Sequence, residues 1–383
     1  MHFVTSEKIL LPLLLAMLLG AACAPARYAA IGQVAGHTID TSVDGKFAHD
    51  YLEHYLPGER AREAPRLDAA LTQADRAPLS NELLQHLTRE FSVDLATLYF
   101  LDRTYRDDLN LRLQNAFFDQ LSSIRIAHSE GKFNVPPEYL EYLLVFIPGY
   151  AYQTRPETGA DFARQRRLLG SAGFDTVLVE TDELGNVEPN ARIIADDIAR
   201  LSREARPIVL ISASKGGAEA ALALGRQLPS QQSRAVVAWL SIGGLLRGSP
   251  YADWAWKWPR KWVASIVYRQ RRLDPRVIPN LRTQVRRAVF EGLAFPEHIL
   301  LLQYVGTPLS GHIKKDVRKR YKIIRKIGPN DGLTLLLDEV ISGSGVITDI
   351  GLDHYYRDPQ IDLKTFALTM VMIEEVRRRS QMK

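Results

Sequence analysis

A chain of 383 residues, 46% apolar and 24% charged, has the makeup of an ordinary globular protein long enough to bury a sizeable core. Its single cysteine, Cys23, excludes an intrachain disulfide and a cysteine-built zinc site. A formal charge of +5 favours anionic surfaces only mildly and does not call for nucleic acid.

The chain opens with Lys8, an apolar run from Ile9 to Leu19, and then Gly-Ala-Ala-Cys-Ala. This order of charged, apolar and small-residue regions is that of an export signal over residues 1–22. The run is short for a bilayer-spanning helix. With Cys23 directly after it, the segment resembles a bacterial lipoprotein signal, which implies lipidation of Cys23. Gly20 stands where a lipobox typically has leucine, with Leu19 one place further back, so a soluble-export signal stays open. Ala24 carries no retention aspartate, and the resemblance then implies a cell-envelope protein anchored at an outer membrane.

Residues 23–135 read as an N-terminal region: an irregular, Gly-punctuated lead-in over 27–60, then helices. Phe91, Leu95, Leu98 and Leu101, followed by Leu109, Leu113, Phe117 and Leu121, recur at three- and four-residue spacing. A helical layer packed on the main domain is expected. From 136 to 383 the pattern changes. Apolar runs at 143–147, 176–180, 207–211, 234–240, 299–305 and 346–350 alternate with helical segments near 160–171, 190–204 and 362–379. Strands alternating with helices predict a mostly parallel α/β sheet covered on both faces.

The stretch Ile208-Val-Leu-Ile-Ser-Ala-Ser-Lys-Gly-Gly217 runs from a buried strand through small residues into an alanine-rich helix. That is the layout of a nucleophile elbow with Ser214 at its apex and Ser212 where G-x-S-x-G has its first glycine. The elbow needs small residues two before and two after the serine, and Ser212 and Gly216 comply. The bland alternative is a strand–helix turn whose glycines only allow close packing.

A serine hydroxyl needs a base, and the base needs an orienting carboxylate. Downstream of Ser214 stand His298, His312 and His354. His354 falls between the last strand and the last helix, where the base is expected. For the acid, the turn Gly328-Pro-Asn-Asp-Gly-Leu333 offers Asp331, with Asp338 and Asp353 as rivals. Oxyanion donors are expected at the N–H of Lys215, opening the elbow helix, and of Tyr150, after the 143–147 strand. Two rival motifs fare worse. Ser212-x-x-Lys215 lacks the K-T-G and S-D-N companions of penicillin-binding proteins, and Trp239 would clash in an elbow built on Ser241.

Residues 140–380 resemble an α/β-hydrolase of the bacterial serine esterase and lipase kind. The resemblance rests on Ile147-Pro-Gly-Tyr150, Ser212-Ala-Ser-Lys-Gly216, Ser241-Ile-Gly-Gly-Leu-Leu-Arg-Gly-Ser-Pro250, Asn330-Asp-Gly-Leu333 and Gly351-Leu-Asp-His354, in that order. It departs at Ser212, and at Pro148 where a histidine is usual. It implies a Ser214–Asp331–His354 triad, an acyl-enzyme, ester substrates, and no cofactor or metal.

Residues 251–290 form an insertion placed like a lid. It holds Trp254, Trp256, Trp258 and Trp262 among cations, which suits either a bilayer interface or a wall of an acyl pocket. A second basic run, 314–326, carries eight Lys/Arg against Asp316 alone and reads first as a solvated helix face. The expectation is thus a lipid-anchored serine hydrolase acting on esters, acyl lipids among them, at a membrane surface. The alternative is a catalytically silent envelope protein that keeps the fold for binding.

Overall fold

The computed structural model describes residues 27–382 apart from 35, 57–64, 271–273 and 275, so the export signal and Cys23 lie outside the described residues. The expected irregular lead-in instead begins with an antiparallel hairpin, β1 (Tyr28–Val34) and β2 (His37–Val43), turned at Gly36 with φ +80°. Ile39 and Val43 point inward while Thr38 and Asp40 face out, the period-2 pattern of a half-buried strand. β1 is made largely of small residues and β2 is rich in polar ones, so neither gives a strong hydrophobic signal in the sequence.

Of the helices that follow, three start at side-chain caps. Ser80, Ser92 and Asp107 accept backbone N–H groups from Leu83, Leu95 and Asn110, starting the helices Asn81–Glu90, Val93–Tyr105 and Asp108–Ser129.

Six strands form the central sheet: β3 (Leu143–Ile147), β4 (Thr176–Leu178), β5 (Ile208–Ala213), β6 (Val236–Ile242), β7 (Leu300–Thr307) and β8 (Gly345–Ile350). They lie in the order β4-β3-β5-β6-β7-β8, and every pairing is parallel. Alternate residues serve opposite faces. Leu144 and Phe146 join the core under the helices Asp108–Ser129 and Ile361–Gln381. Leu143, Val145 and Ile147 join the core under Val187–Leu201 and Lys215–Leu222. A strand buried on both sides is built mainly of apolar residues, which accounts for the apolar runs in the sequence.

At β8 the sheet ends, and its outward N–H groups would be unpaired. The N-terminal helices supply acceptors: Val346 N–H donates to Asn110 Oδ1 at 2.8 Å, and Thr348 N–H to Tyr105 Oη at 2.9 Å and Gln114 Oε1 at 3.1 Å. The helices thereby block the edge against further pairing. Asp94 ties the same layer to the loop after β7, accepting from Ser310 N at 2.8 Å and Ser310 Oγ at 2.6 Å. Burial and the neighbouring Asp44 charge push its carboxyl up to about 7.

Chain order reverses at β3. From there the chain steps outward to β4 and then returns to the other side as β5, so the carboxyl ends of β3 and β5 open a crevice where ligands bind in open α/β sheets.

Phe117 is buried against the Tyr304 ring, with centroids 5.8 Å apart, and joins the Asp108–Ser129 helix to the sheet. Phe117→Ala is expected to cost about 3–5 kcal/mol in urea unfolding. A loss below about 1 kcal/mol would show that this helix does not hold that face of the sheet.

Candidate active site

Ser214 occupies the junction of β5 and the helix Lys215–Leu222 with φ +53° and ψ −119°. A non-glycine residue in that region carries strain that its surroundings must hold in place. Ser214 N–H donates to Ile242 O at 3.0 Å, and Ser214 O accepts from Leu245 N at 2.9 Å and Gly217 N at 3.0 Å. A Cβ on Gly216 would lie 2.4 Å from Pro148 O and 2.9 Å from Ile147 O, so only glycine lets the elbow reach the end of β3. Ser212, in the place of a glycine, is fully buried. Its hydroxyl accepts from Trp239 Nε1 at 2.9 Å and lies 3.4 Å from Leu240 O. The serine therefore gives the buried indole N–H a partner that glycine could not.

His354 stands with Nε2 2.9 Å from Ser214 Oγ and Nδ1 2.5 Å from Asp331 Oδ2. Asp331 is 0% exposed and His354 9%. The acid loop is fixed from several sides. Asp331 Oδ1 accepts from Leu333 N and Thr334 N, both at 2.8 Å, and Asp331 O accepts from His354 N at 2.9 Å. Ser249 Oγ donates to Leu333 O at 2.6 Å and Thr334 Oγ1 to Gly248 O at 2.8 Å, joining the loop to the Arg-Gly-Ser-Pro segment.

The rivals go elsewhere. Asp338 pairs with Arg287 at 2.9 Å and accepts from Asn81. Asp353 turns away from the imidazole and accepts from Tyr355 N at 3.1 Å. His312 Nδ1 accepts from Leu309 N, and the His298 ring contacts Ser233 O beside the other end of the sheet.

Lys215 does more than open a helix. Its side chain is buried, with Nζ 2.8 Å from Glu219 Oε1, 3.2 Å from Asp182 O and 3.0 Å from Gly185 O. Asn190 Nδ2 also donates to Glu219 Oε1 at 2.7 Å. Burial pushes the Glu219 carboxyl up to about 7, against the pull of the Lys215 ammonium and the Asn190 amide. The same loop after β4 reaches the segment after β3: Glu183 Oε2 accepts from Gln153 N at 2.7 Å and Thr154 N at 2.9 Å, and Glu183 O from Ala151 N at 3.1 Å. One polar network thus sets the Gly149-Tyr150 turn against the elbow. The position of a Gly149 Cβ, 3.5 Å from Ser214 Cβ, measures how close they are.

Ser214 and His354 open into a cavity of about 400 Å³. The insertion between β6 and β7 builds one wall through Tyr251, Ala252, Ala255, Val277, Ile278 and Leu281. Among the described residues none of its tryptophans lines the cavity. Trp254 is half-buried, stacked on Tyr251 at 5.4 Å with the Arg260 guanidinium over its ring at 4.3 Å. Trp258 and Trp262 are 73% and 61% exposed, with Val263 and Ile266 also exposed on the helix Arg260–Gln270.

Sequence reasoning did not find Glu339, a fully buried carboxyl beside Asp331. Burial and the charges of Asp331 and Asp338 hold it well above the usual carboxylate range. In the sequence its neighbour Asp338 stands out as an acid candidate, and nothing in Leu335-Leu-Leu-Asp-Glu339 signals that a second carboxyl turns inward. The Lys215–Glu219 pair at i, i+4 was legible as spacing, but its burial was not.

Fold and topology together define an α/β-hydrolase fold: a parallel sheet with a serine elbow after one central strand, and an acid and a histidine on later loops. Among solved structures, the chain resembles a metagenomic carboxyl esterase at TM-score 0.52 and 19% identity, covering 64% of this chain and 78% of that one. It also resembles the mature form of the Bacillus licheniformis lipase BlEst2 at TM-score 0.50 and 16% identity, covering 63% and 94%. No protein-family model matches the chain, and no curated protein matches it in sequence.

Gly216→Ala is expected to destabilise the protein by about 1–3 kcal/mol, because backbone carbonyls stand where its methyl would go. Gly170→Ala, in the helix Ala163–Ser171 with nothing near its Cβ, should instead stabilise by up to about 1 kcal/mol. Equal effects in urea unfolding would contradict the close approach at the elbow.

Proposed function

We propose that this protein is a serine hydrolase of carboxylic esters, with Ser214 as nucleophile, His354 as base and Asp331 as the acid that orients it. The observation that carries this reading is a strained serine whose Oγ lies 2.9 Å from an imidazole that is itself held by a buried carboxylate. Ser214 Oγ attacks the acyl carbon while His354 Nε2 takes its proton. Asp331 holds the Nδ1 proton and stabilises the imidazolium. The oxyanion is received by the N–H groups of Lys215 and Tyr150, and each such donor contributes about 2.7–4 kcal/mol to lowering the barrier. His354 passes the proton to the leaving alcohol, then draws one from the water that attacks the acyl carbon, and returns it to Ser214 Oγ as the acyl–oxygen bond breaks and the acid leaves. The resemblance to structures named as an esterase and a lipase supports this reaction class.

The largely apolar lining of the cavity suits an acyl chain. Exposed Trp258 and Trp262 among Lys257, Lys261 and Arg269 suit contact with a bilayer surface, which favours acyl lipids as substrates. Lipidation of Cys23 after removal of residues 1–22 would hold the protein at the cell envelope. Mass spectrometry of the mature N-terminus tests this, and an unmodified N-terminus cut elsewhere would overturn it.

Purified protein should turn over p-nitrophenyl esters and react with a fluorophosphonate probe at Ser214. Ser214→Ala should lower turnover by at least about a thousandfold while leaving urea stability unchanged within about 1 kcal/mol. Undiminished turnover in this variant would remove Ser214 from the chemistry, and absence of labelling would favour a binding protein that has kept the fold.

A further inference from the structure

The basic run 314–326 has no part in the mechanism above, yet the structure brings one of its eight cations into the site. Arg320, on the helix Arg318–Ile324, lines the cavity that holds Ser214 and His354. Its guanidinium lies 5.6 Å from the ring centroids of both Tyr251 and Tyr355, and Nη1 donates to Tyr355 Oη at 2.5 Å. We propose that Arg320 selects esters whose alcohol carries an anionic phosphate group. This rests on the ester-hydrolase reading of the same site.

Charge is the first reason. Among the described residues Arg320 has no carboxylate within ion-pair distance. Two acids close to it or to Tyr251 in sequence are engaged elsewhere: Asp316 with Arg357 at 2.5 Å, and Asp253 with Arg282 at 3.2 Å and with Thr283. The other arginine of the cavity, Arg155, is paired with Glu157 at 3.0 Å. Arg320 therefore brings an uncompensated, permanent charge to a cavity otherwise walled largely by carbon, where an incoming anion gains most.

Geometry is the second reason. One of five N–H donors is used on Tyr355, and two tyrosines bracket the guanidinium. The remaining donors keep the planar fork that grips a phosphate through two parallel bonds.

Position decides which part of the substrate is read. Tyr355 follows the base directly, its ring centroid 6.2 Å from that of His354. The imidazolium must hand its proton to the departing oxygen, so the alcohol leaves on the histidine side. Arg320 is held on that side by Tyr355. The acyl chain keeps the apolar wall made by Leu245, Val277 and Leu281.

The test compares kcat/KM for three esters with the same acyl chains, each below its micelle concentration: dihexanoylphosphatidic acid, dihexanoylphosphatidylcholine and dihexanoylglycerol. The native protein should prefer the phosphatidic acid. Arg320→Gln should reduce the ratio of phosphatidic acid to dihexanoylglycerol turnover by about tenfold or more, the scale of a lost charge-assisted contact. Arg320→Lys, which keeps the charge without the fork, should restore part of that ratio. A fall shared equally by all three esters would mark a structural role and overturn the proposal, as would an unchanged ratio. Inorganic phosphate that inhibits p-nitrophenyl hexanoate turnover as strongly as the phosphatidic acid would assign the cation to free phosphate and overturn it too. Native protein that turns over no ester at all would sink the underlying reading instead.

Discussion

The left-handed backbone at Ser214 constrains more of this molecule than any other single feature. For the serine to stand above the end of β5, the chain must turn sharply, and the next turn of helix must fit under the end of β3. The carbonyls of Ile147 and Pro148 leave no room for a side chain at 216. The carbonyl of Ser214 holds Leu245, which starts the segment after β6, and its N–H is held by Ile242. Strain of this kind persists only where the surroundings over-determine it. Here three adjacent strands do so.

Around that constraint two polar networks are arranged, one on each side of the serine. On one side, Lys215, Glu219, Asn190 and Glu183 connect the elbow helix with the turn after β3. On the other, Asp331 is saturated by two backbone N–H groups and an imidazole, and its loop is hydrogen-bonded to the segment that introduces the insertion. Glu339 is buried against this second network, and burial with the neighbouring Asp331 and Asp338 pushes its carboxyl well above the usual carboxylate range. Both networks are almost free of solvent, where hydrogen bonds to charged groups are strongest and an unpaired group is costly. The N-terminal region contributes at a distance: its helices supply the acceptors that end the sheet at β8, the strand that leads into the histidine loop.

Legibility in the sequence followed burial. The strands at 143–147, 208–213 and 345–350 were readable because a strand covered on both faces is built mainly of apolar residues, with the few buried polar ones hydrogen-bonded. The hairpin at 28–43 was not, since the open face of β2 carries Thr38, Asp40 and Ser42 and β1 is interrupted by Gly32, so both look like loop. His354 was found by its place between the last strand and the last helix. Asp331 is set apart from Asp338 and Asp353 in the sequence by a turn placed between the last two strands, by the apolar run before Asp338 and by the adjacency of Asp353 to His354; in the structure the competitors serve Arg287, Asn81 and the Tyr355 amide. Trp239, which in the sequence argued against a second elbow at Ser241, is the residue that makes Ser212 welcome in the first.

The amino-acid order alone determined the α/β alternation, the elbow and the sequence of serine, acid and histidine, because these depend on local spacing and on which runs must be buried. Only the tertiary structure decided how far the elbow could approach the turn after β3, which tryptophans of the insertion face solvent, and which of eight basic residues enters the cavity. These are outcomes of chain segments that meet across more than a hundred residues, as Ser214 and His354 do. The elbow that is conspicuous in the sequence becomes a site only when distant loops close around it.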